Sequence, residues 1–259
     1  MYPADSGELR KTVGSLLSLS TVPTGCYGGI LAPVGSLEYA GSVTADAFKS
    51  VAECTPSLVV ILSHALSTPS EYFLLPESSH FRTPLATVPV STGLRNALLA
   101  LDSPFRADEM AHMQEYGIEV LLPFVQTVFP GSEILPILTR PEGLIHIDDA
   151  RETMQPLLHQ EQSVVFVVGT NLCAETDRDH SRLLSAAVID ALLELNTTEL
   201  TQLMNSHPVL EGLSAVLTCL GILRTQHEAD LVSRIDSSAH DGDRINAVSY
   251  GAITLDIEP

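Results

Sequence analysis

The sequence predicts an α/β fold, with one central, mainly parallel sheet flanked by helices. Three observations carry the prediction. The runs "SLVVILS" (57–63), "EILPILT" (133–139) and "SVVFVVG" (163–169) are short, continuous and rich in β-branched residues, which suits strands buried on both faces. Segments with the 3.6-residue period of amphipathic helices lie between and around them. At 259 residues the chain has length for one large α/β domain or two small ones. With no repeat, low-complexity tract or linker to divide it, we read 1–259 as a single domain.

In chain order, "GELRKTVGSLLSL" (7–19) is expected to be a helix with Leu9, Val13, Leu16 and Leu17 on its apolar positions. "GGILAPVGSLEYAG" (28–41) opens with a short apolar run and turns at Pro33. It resembles the end of a strand, where α/β proteins usually place ligands. In "IEVLLPFVQTVF" (118–129) the residues Ile118, Leu121, Leu122, Val125 and Phe129 share a helical face. "HSRLLSAAVIDALLEL" (180–195) is a strong helix, with Asp177 or Asp179 available to cap it. "RINAVSYGAITLDI" (244–257) reads as a closing strand.

Composition narrows the function. Thirteen basic residues face 32 acidic ones, a formal charge of −19. Such a surface repels phosphate backbones and anionic lipid, which argues against nucleic-acid and membrane partners. No apolar run reaches the roughly 18–20 residues of a membrane span, and "MYPADSGELRKTV" lacks the basic-then-apolar order of a signal peptide. The expected location is cytoplasmic. Cys26, Cys54, Cys173 and Cys219 form no C-x-x-C pair, so the expectation is four reduced, mostly buried thiols.

Several chemistries lose their support at once. The chain has no G-x-G-x-x-G after a strand, no G-x-x-x-x-G-K-[ST], no G-x-S-x-G and no H-E-x-x-H. None of its nine histidines pairs with another at metal-site spacing, and most sit in polar surroundings. His64 stands out because it follows the strand "LVVILS", in the same kind of position as Val34. The acids of "DRDH" (177–180) would suit a metal clamp, but a helix cap explains them equally well.

Six segments in order resemble the Memo family, the B component of the bacterial AmmeMemoRadiSam set. They are "MYPADSGELRKTV", "LAPVGSLEYAG", "RTPLATVPVSTGL" (82–94), "EYGIEVLLPFVQ" (115–126), "VVFVVGTNLCAE" (164–175) and "DGDRINAVSYGA" (241–252). The resemblance covers almost the whole chain. It implies a fold similar to class III extradiol dioxygenases, with a cleft of histidines, an aspartate and a cysteine that holds a redox metal, copper or iron. Carried over residue by residue, the family histidines fall on Val34, Leu66, Ser67 and Tyr116. The serine beside the last histidine falls on Gly117. The aspartate and histidine of the fifth segment fall on Asn171 and Ala174, and the cysteine on Val209 or, less well, on Cys219. Scaffold residues are kept: Pro33, Gly41, Thr83-Pro84-Leu85, Glu119 and Asp243.

A metal site needs lone-pair donors that converge on one point. Val, Leu and Ala have none, and Ser67, Asn171 and Tyr116 replace imidazole poorly. The expectation is a Memo-like protein with a degenerate metal site and no cofactor, serving as a binding or assembly scaffold for a protein, peptide or small molecule. Homo-oligomerisation stays open. The alternative is a copper- or iron-dependent oxidoreductase with a site rebuilt from His64 and His207, with Tyr39, Glu38 and Asn171 nearby.

Overall fold

The computed structural model describes residues 1–67, 70–159, 161, 163–207, 209–223, 228–238 and 245–256. Asp243, His227 and His240 lie outside the described residues. Among those described, the strands are β1 (Gly29–Ala32), β2 (Leu58–His64), β3 (Phe73–Leu75), β4 (His80–Arg82), β5 (Thr87–Pro89), β6 (Phe105–Ala107), β7 (Glu133–Thr139), β8 (Val164–Gly169), β9 (Cys173–Asp177), β10 (Ala229–Asp236) and β11 (Ile245–Leu255). The α-helices are α1 (Ser6–Leu19), α2 (Gly41–Ser50), α3 (Thr92–Ala100), α4 (Glu109–Gln114), α5 (Leu122–Val128), α6 (Ile147–Leu158), α7 (Arg178–Leu193), α8 (Thr197–Ser206) and α9 (Leu213–Ile222).

The main sheet runs β10-β11-β1-β8-β2-β7-β3-β6, with β9 also paired to β11. The four central strands β1, β8, β2 and β7 are parallel neighbours, as the apolar runs predict. Antiparallel pairing enters outside them, where β11 meets β1, β9 and β10, and where β3 meets β7. The pleat sorts each central run onto two cores. Leu58, Val60, Leu62, Leu135, Ile137, Phe166 and Val168 face one core, closed by α3, α6, α7 and α9. Val59, Ile61, Ile134, Val165 and Val167 face the other, closed by α1, α2 and α5. Each fully buried aliphatic or aromatic side chain contributes about 1.5–3 kcal/mol, and both faces need covering, so the runs show no polar alternation.

Local signals set the helix ends. Asp5 accepts a hydrogen bond from the Glu8 amide and starts α1. Asp177 accepts from the His180 amide and starts α7, so the first acid of "DRDH" is a cap. The face of Ile118, Leu121, Leu122, Val125 and Phe129 is buried as expected, although a short 3-10 turn over Glu119–Leu121 precedes α5. The helix following it includes Phe124, which stacks on Phe48 of α2 at 5.4 Å between ring centroids.

The cysteine expectation is overturned for two of the four residues. Cys26 and Cys54 are joined in a disulfide, while Cys173 and Cys219 are buried outside it. The fold brings the Cys26 and Cys54 Cα atoms to 4.7 Å, inside the range a disulfide spans. Among the described residues no helix is long and apolar enough to cross a membrane.

Candidate functional site

The register levels the ends of the parallel strands. Ala32 pairs with Gly169, Ser63 with Gly169, and His64 with Thr139. The residues just beyond these ends therefore share one shelf at the carboxyl edge, where open α/β sheets bind ligands. Val34 follows β1, Ser67 follows β2 and Asn171 follows β8.

On that shelf the side chain of Asn171 grips the backbone of Val34 from both sides. The Val34 amide donates to Asn171 Oδ1 at 3.0 Å, and Asn171 Nδ2 donates to the Val34 carbonyl at 3.0 Å. Nδ2 also reaches Glu211 Oε2 at 3.3 Å. Val34 is 2% exposed and Asn171 6%. The amide thus completes the hydrogen bonding of a buried peptide segment that has left its strand.

Glu211 links the clamp to His64. The imidazole Nε2 lies 3.6 Å from Glu211 Oε2, within ion-pair range but beyond a hydrogen bond. His64 is 2% exposed, and its Nδ1 has no hydrogen-bond partner among the described residues. Burial pushes its pKa down, and this outweighs the opposing pull of Glu211, the Gly169 carbonyl and Glu115. Its ring is neutral at pH 7. Glu115 is itself buried and accepts from the Ser67 amide at 2.5 Å. Tyr116 stands half-buried beside both carboxylates. Burial first, then Glu211 and Glu115, raise its pKa, so the phenol stays protonated. Arg140, just past β7, ties the rim by donating from Nη1 to the Ala65 and Leu66 carbonyls at 3.0 and 2.7 Å.

The other sequence candidates divide. The Leu66 side chain is largely exposed on the rim. Ala174 lies within β9, paired with Val248 of β11. Val209 is buried and bridges Cys173. Tyr39 sits in the turn before α2, its amide donating to the Ser36 carbonyl. His207 ends α8, with its ring edge-on to His180 at 5.7 Å. Among the described residues the charged groups acting on His64 are Glu211 and Glu115. Cys219 is fully buried in α9, and burial drives its pKa up, so it is a core thiol with no thiolate to offer. Sequence reasoning gave no role to Glu115, which opens the segment "EYGIEVLLPFVQ", or to Glu211.

Space is short between these strand ends. A Cβ on Gly169 would come within 2.8 Å of Ser63 Oγ, 2.9 Å of Val34 Cγ2 and 3.0 Å of Leu121 Cδ1. A Cβ on Gly117 would collide with Ser63 Oγ. Val34, Ala174 and Val209 offer no lone pair, and the Asn171 amide is engaged with backbone. Among the described residues no group of three or more His, Cys, Asp or Glu side chains is placed to hold a metal ion.

The pattern of the family described as "Memo-like protein" matches residues 1–254. A MEMO1 family protein of Methanopyrus kandleri is 25% identical over 270 residues, covering 98% of this chain and 95% of that protein. A MEMO1 family protein of Thermotoga petrophila is 28% identical over 229 residues, covering 86% of this chain and 80% of that protein. The crystal structure of an uncharacterized protein from Escherichia coli K12 superposes with a TM-score of 0.53 at 14% identity, covering 87% of this chain and 98% of that one. That likeness concerns the fold. With its parallel centre, flanking helices and near full-length match, this chain belongs to the Memo-like protein family, of class III extradiol dioxygenase-like fold.

Proposed function

We propose that this chain is a non-catalytic binding or assembly scaffold that has given up the family's metal chemistry. One observation carries the reading. Asn171, where the resemblance places an aspartate, uses its amide to hold the backbone of Val34, where the resemblance places a histidine. Two positions of a reactive cleft are thereby joined in one structural clamp. Burial lowers the pKa of the neighbouring His64 and raises that of Tyr116, and among the described residues no group of three or more His, Cys, Asp or Glu is placed to hold a metal ion. Contact with a protein or peptide partner falls to the rim, where Leu66 is exposed.

The test is metal content after purification without chelators, followed by calorimetric titration of copper and Fe(II). The scaffold reading expects no stoichiometric binding. Tight one-to-one binding that disappears in H64A would overturn it and favour the rebuilt oxidoreductase site. The proposed cytoplasmic location is tested by thiol trapping at lysis. Full protection of Cys26 and Cys54 as a disulfide would instead favour an oxidising compartment.

A further inference from the structure

Away from the strand-end shelf, a cavity of about 310 Å³ lies between α7 and the edge strand β10. Its walls follow from two periodicities. Arg234 and Asp236, two residues apart on β10, face the same side as Ser249 of β11, which pairs with Asp236. Arg178, Arg182 and Ser185 recur on one side of α7. Arg234 pairs with Gly251, and Leu172 fills the space where a side chain at 251 would stand, giving the cavity an apolar floor.

The charge here opposes that of the molecule. Arg182 and Arg234 line this cavity and Arg178 stands beside its Asp236, in a protein with formal charge −19. Among the described residues the carboxylate lining the cavity is Asp236, so positive charge is in surplus there. Asp236 accepts from Arg182 Nε at 3.0 Å and Nη2 at 2.9 Å, and from the Ser238 hydroxyl. Arg178 Nε stands 3.5 Å from its other oxygen, without a hydrogen bond. The Arg182–Asp236–Arg178 group is explained as a staple between α7 and β10. Arg234 is not. Its exposed guanidinium lines the same wall and has no hydrogen-bond or ion-pair partner among the described residues.

We propose that this cavity binds a phosphomonoester, with Arg234 gripping the phosphate beside the Arg182–Asp236 pair and Leu172 and Tyr250 contacting the small organic group it carries. Guanidinium forks match phosphate oxygens two at a time, and a dianion suits the surplus positive charge. The volume stands at the small end of ligand pockets, roughly 300–1,000 Å³, which leaves room for a compact molecule beyond the phosphate itself. The negative field of the whole protein opposes non-specific anion adsorption, so saturable binding would report this local surplus.

Phenyl phosphate, inorganic phosphate and benzoate are titrated into the full chain and followed by calorimetry, with phosphorus NMR for the first two. Phenyl phosphate should bind at one site and raise the melting temperature with concentration. R234Q, an exposed edge substitution, should keep the wild-type melting temperature without ligand and weaken binding about tenfold or more. Absence of saturable binding to the wild type at millimolar probe overturns the proposal. So does R234Q binding as tightly as wild type, and benzoate matching phenyl phosphate would overturn the assignment to phosphate.

Discussion

Replacing Asn171 with aspartate restores the residue type the resemblance implies at that position, and the clamp predicts that the protein suffers for it. Asn171 accepts from the Val34 amide and donates to the Val34 carbonyl and to Glu211. N171D keeps the first bond and turns both donations into contacts between oxygens. A buried carbonyl left without its donor costs about 1–3 kcal/mol. The new carboxylate would stand where Nδ2 lies 3.3 Å from Glu211 Oε2. Two unit charges at that distance repel by about 5 kcal/mol at an effective dielectric of 20, a ceiling that the partial exposure of Glu211 lowers. The expected deficit at pH 8 is about 4 kcal/mol. Repulsion and burial raise the folded-state pKa of the introduced carboxyl above the unfolded value of about 3.9. The penalty is therefore full above the folded pKa and fades as pH falls toward the unfolded one. Between pH 8 and pH 5 the deficit should shrink by about 1–2 kcal/mol, in a range that stays above the isoelectric point of 4.6. N171A strips the clamp without adding charge, so its deficit of about 2–3 kcal/mol should not change with pH. Urea unfolding of the three proteins at both pH values measures this. An N171D variant as stable as wild type at pH 8, or a deficit that ignores pH, would show that the shelf still has a place for an acid.

Three further predictions rest on other parts of the molecule. Burial, opposed by a hydrogen bond to the Leu74 carbonyl and by Glu109 and Asp108, lowers the His112 pKa to about 4. The folded protein resists a proton that the unfolded chain accepts below about 6.5, so this contribution is whole above pH 6.5 and lost as pH falls toward 4, by about 2 kcal/mol at pH 5. Its imidazole NMR signal should stay still from pH 7.5 to 5, and a midpoint near 6.5 would refute the burial argument. The Cys26–Cys54 bridge spans 28 residues, so C26S/C54S should lose about 3–4 kcal/mol on the chain-entropy account; an unchanged urea midpoint contradicts it. G117A drives a methyl group into Ser63 Oγ and should cost about 1–3 kcal/mol. Adding S63A should recover part of that loss, and additive losses would mean the two residues are not in contact.

What was legible in the sequence follows from burial. The central strands could be read because two cores demand apolar residues at every position, as in "LVVILS". The starts of α1 and α7 could be read because Asp5 and Asp177 bond the amides that helices leave open. β10 could not, since as an edge strand its run "ADLVSRID" is mostly solvent-facing and shows neither period. The Cys26–Cys54 pairing was missed because a separation in sequence says nothing of the Cα distance that decides it. At the shelf, Val34 and Asn171 could be placed on adjacent strand ends, but their clamp depends on side-chain geometry. Glu211 in "VLEGL" carries no motif of its own, and only the fold puts it between Asn171 and His64.

On the scaffold reading, losing the donors is only half of the change, because space left by imidazoles would otherwise cost stability as a cavity. Here the side chains around the strand ends depend on one another. Gly169 must lack a side chain because Val34, Ser63 and Leu121 crowd its Cα, and Gly117 must lack one because Ser63 stands over it. Ser63 is in turn fixed by donating to the Gly169 carbonyl at 3.1 Å. A histidine returned to position 34 would have to displace atoms held by these contacts while the Asn171 clamp still grips the peptide on either side. Single reversions should therefore behave as overpacking substitutions and lower stability. Recovering metal chemistry would take coordinated change at Val34, Gly117, Asn171 and Ser63, so the packing that replaced the donors is itself a barrier to their return.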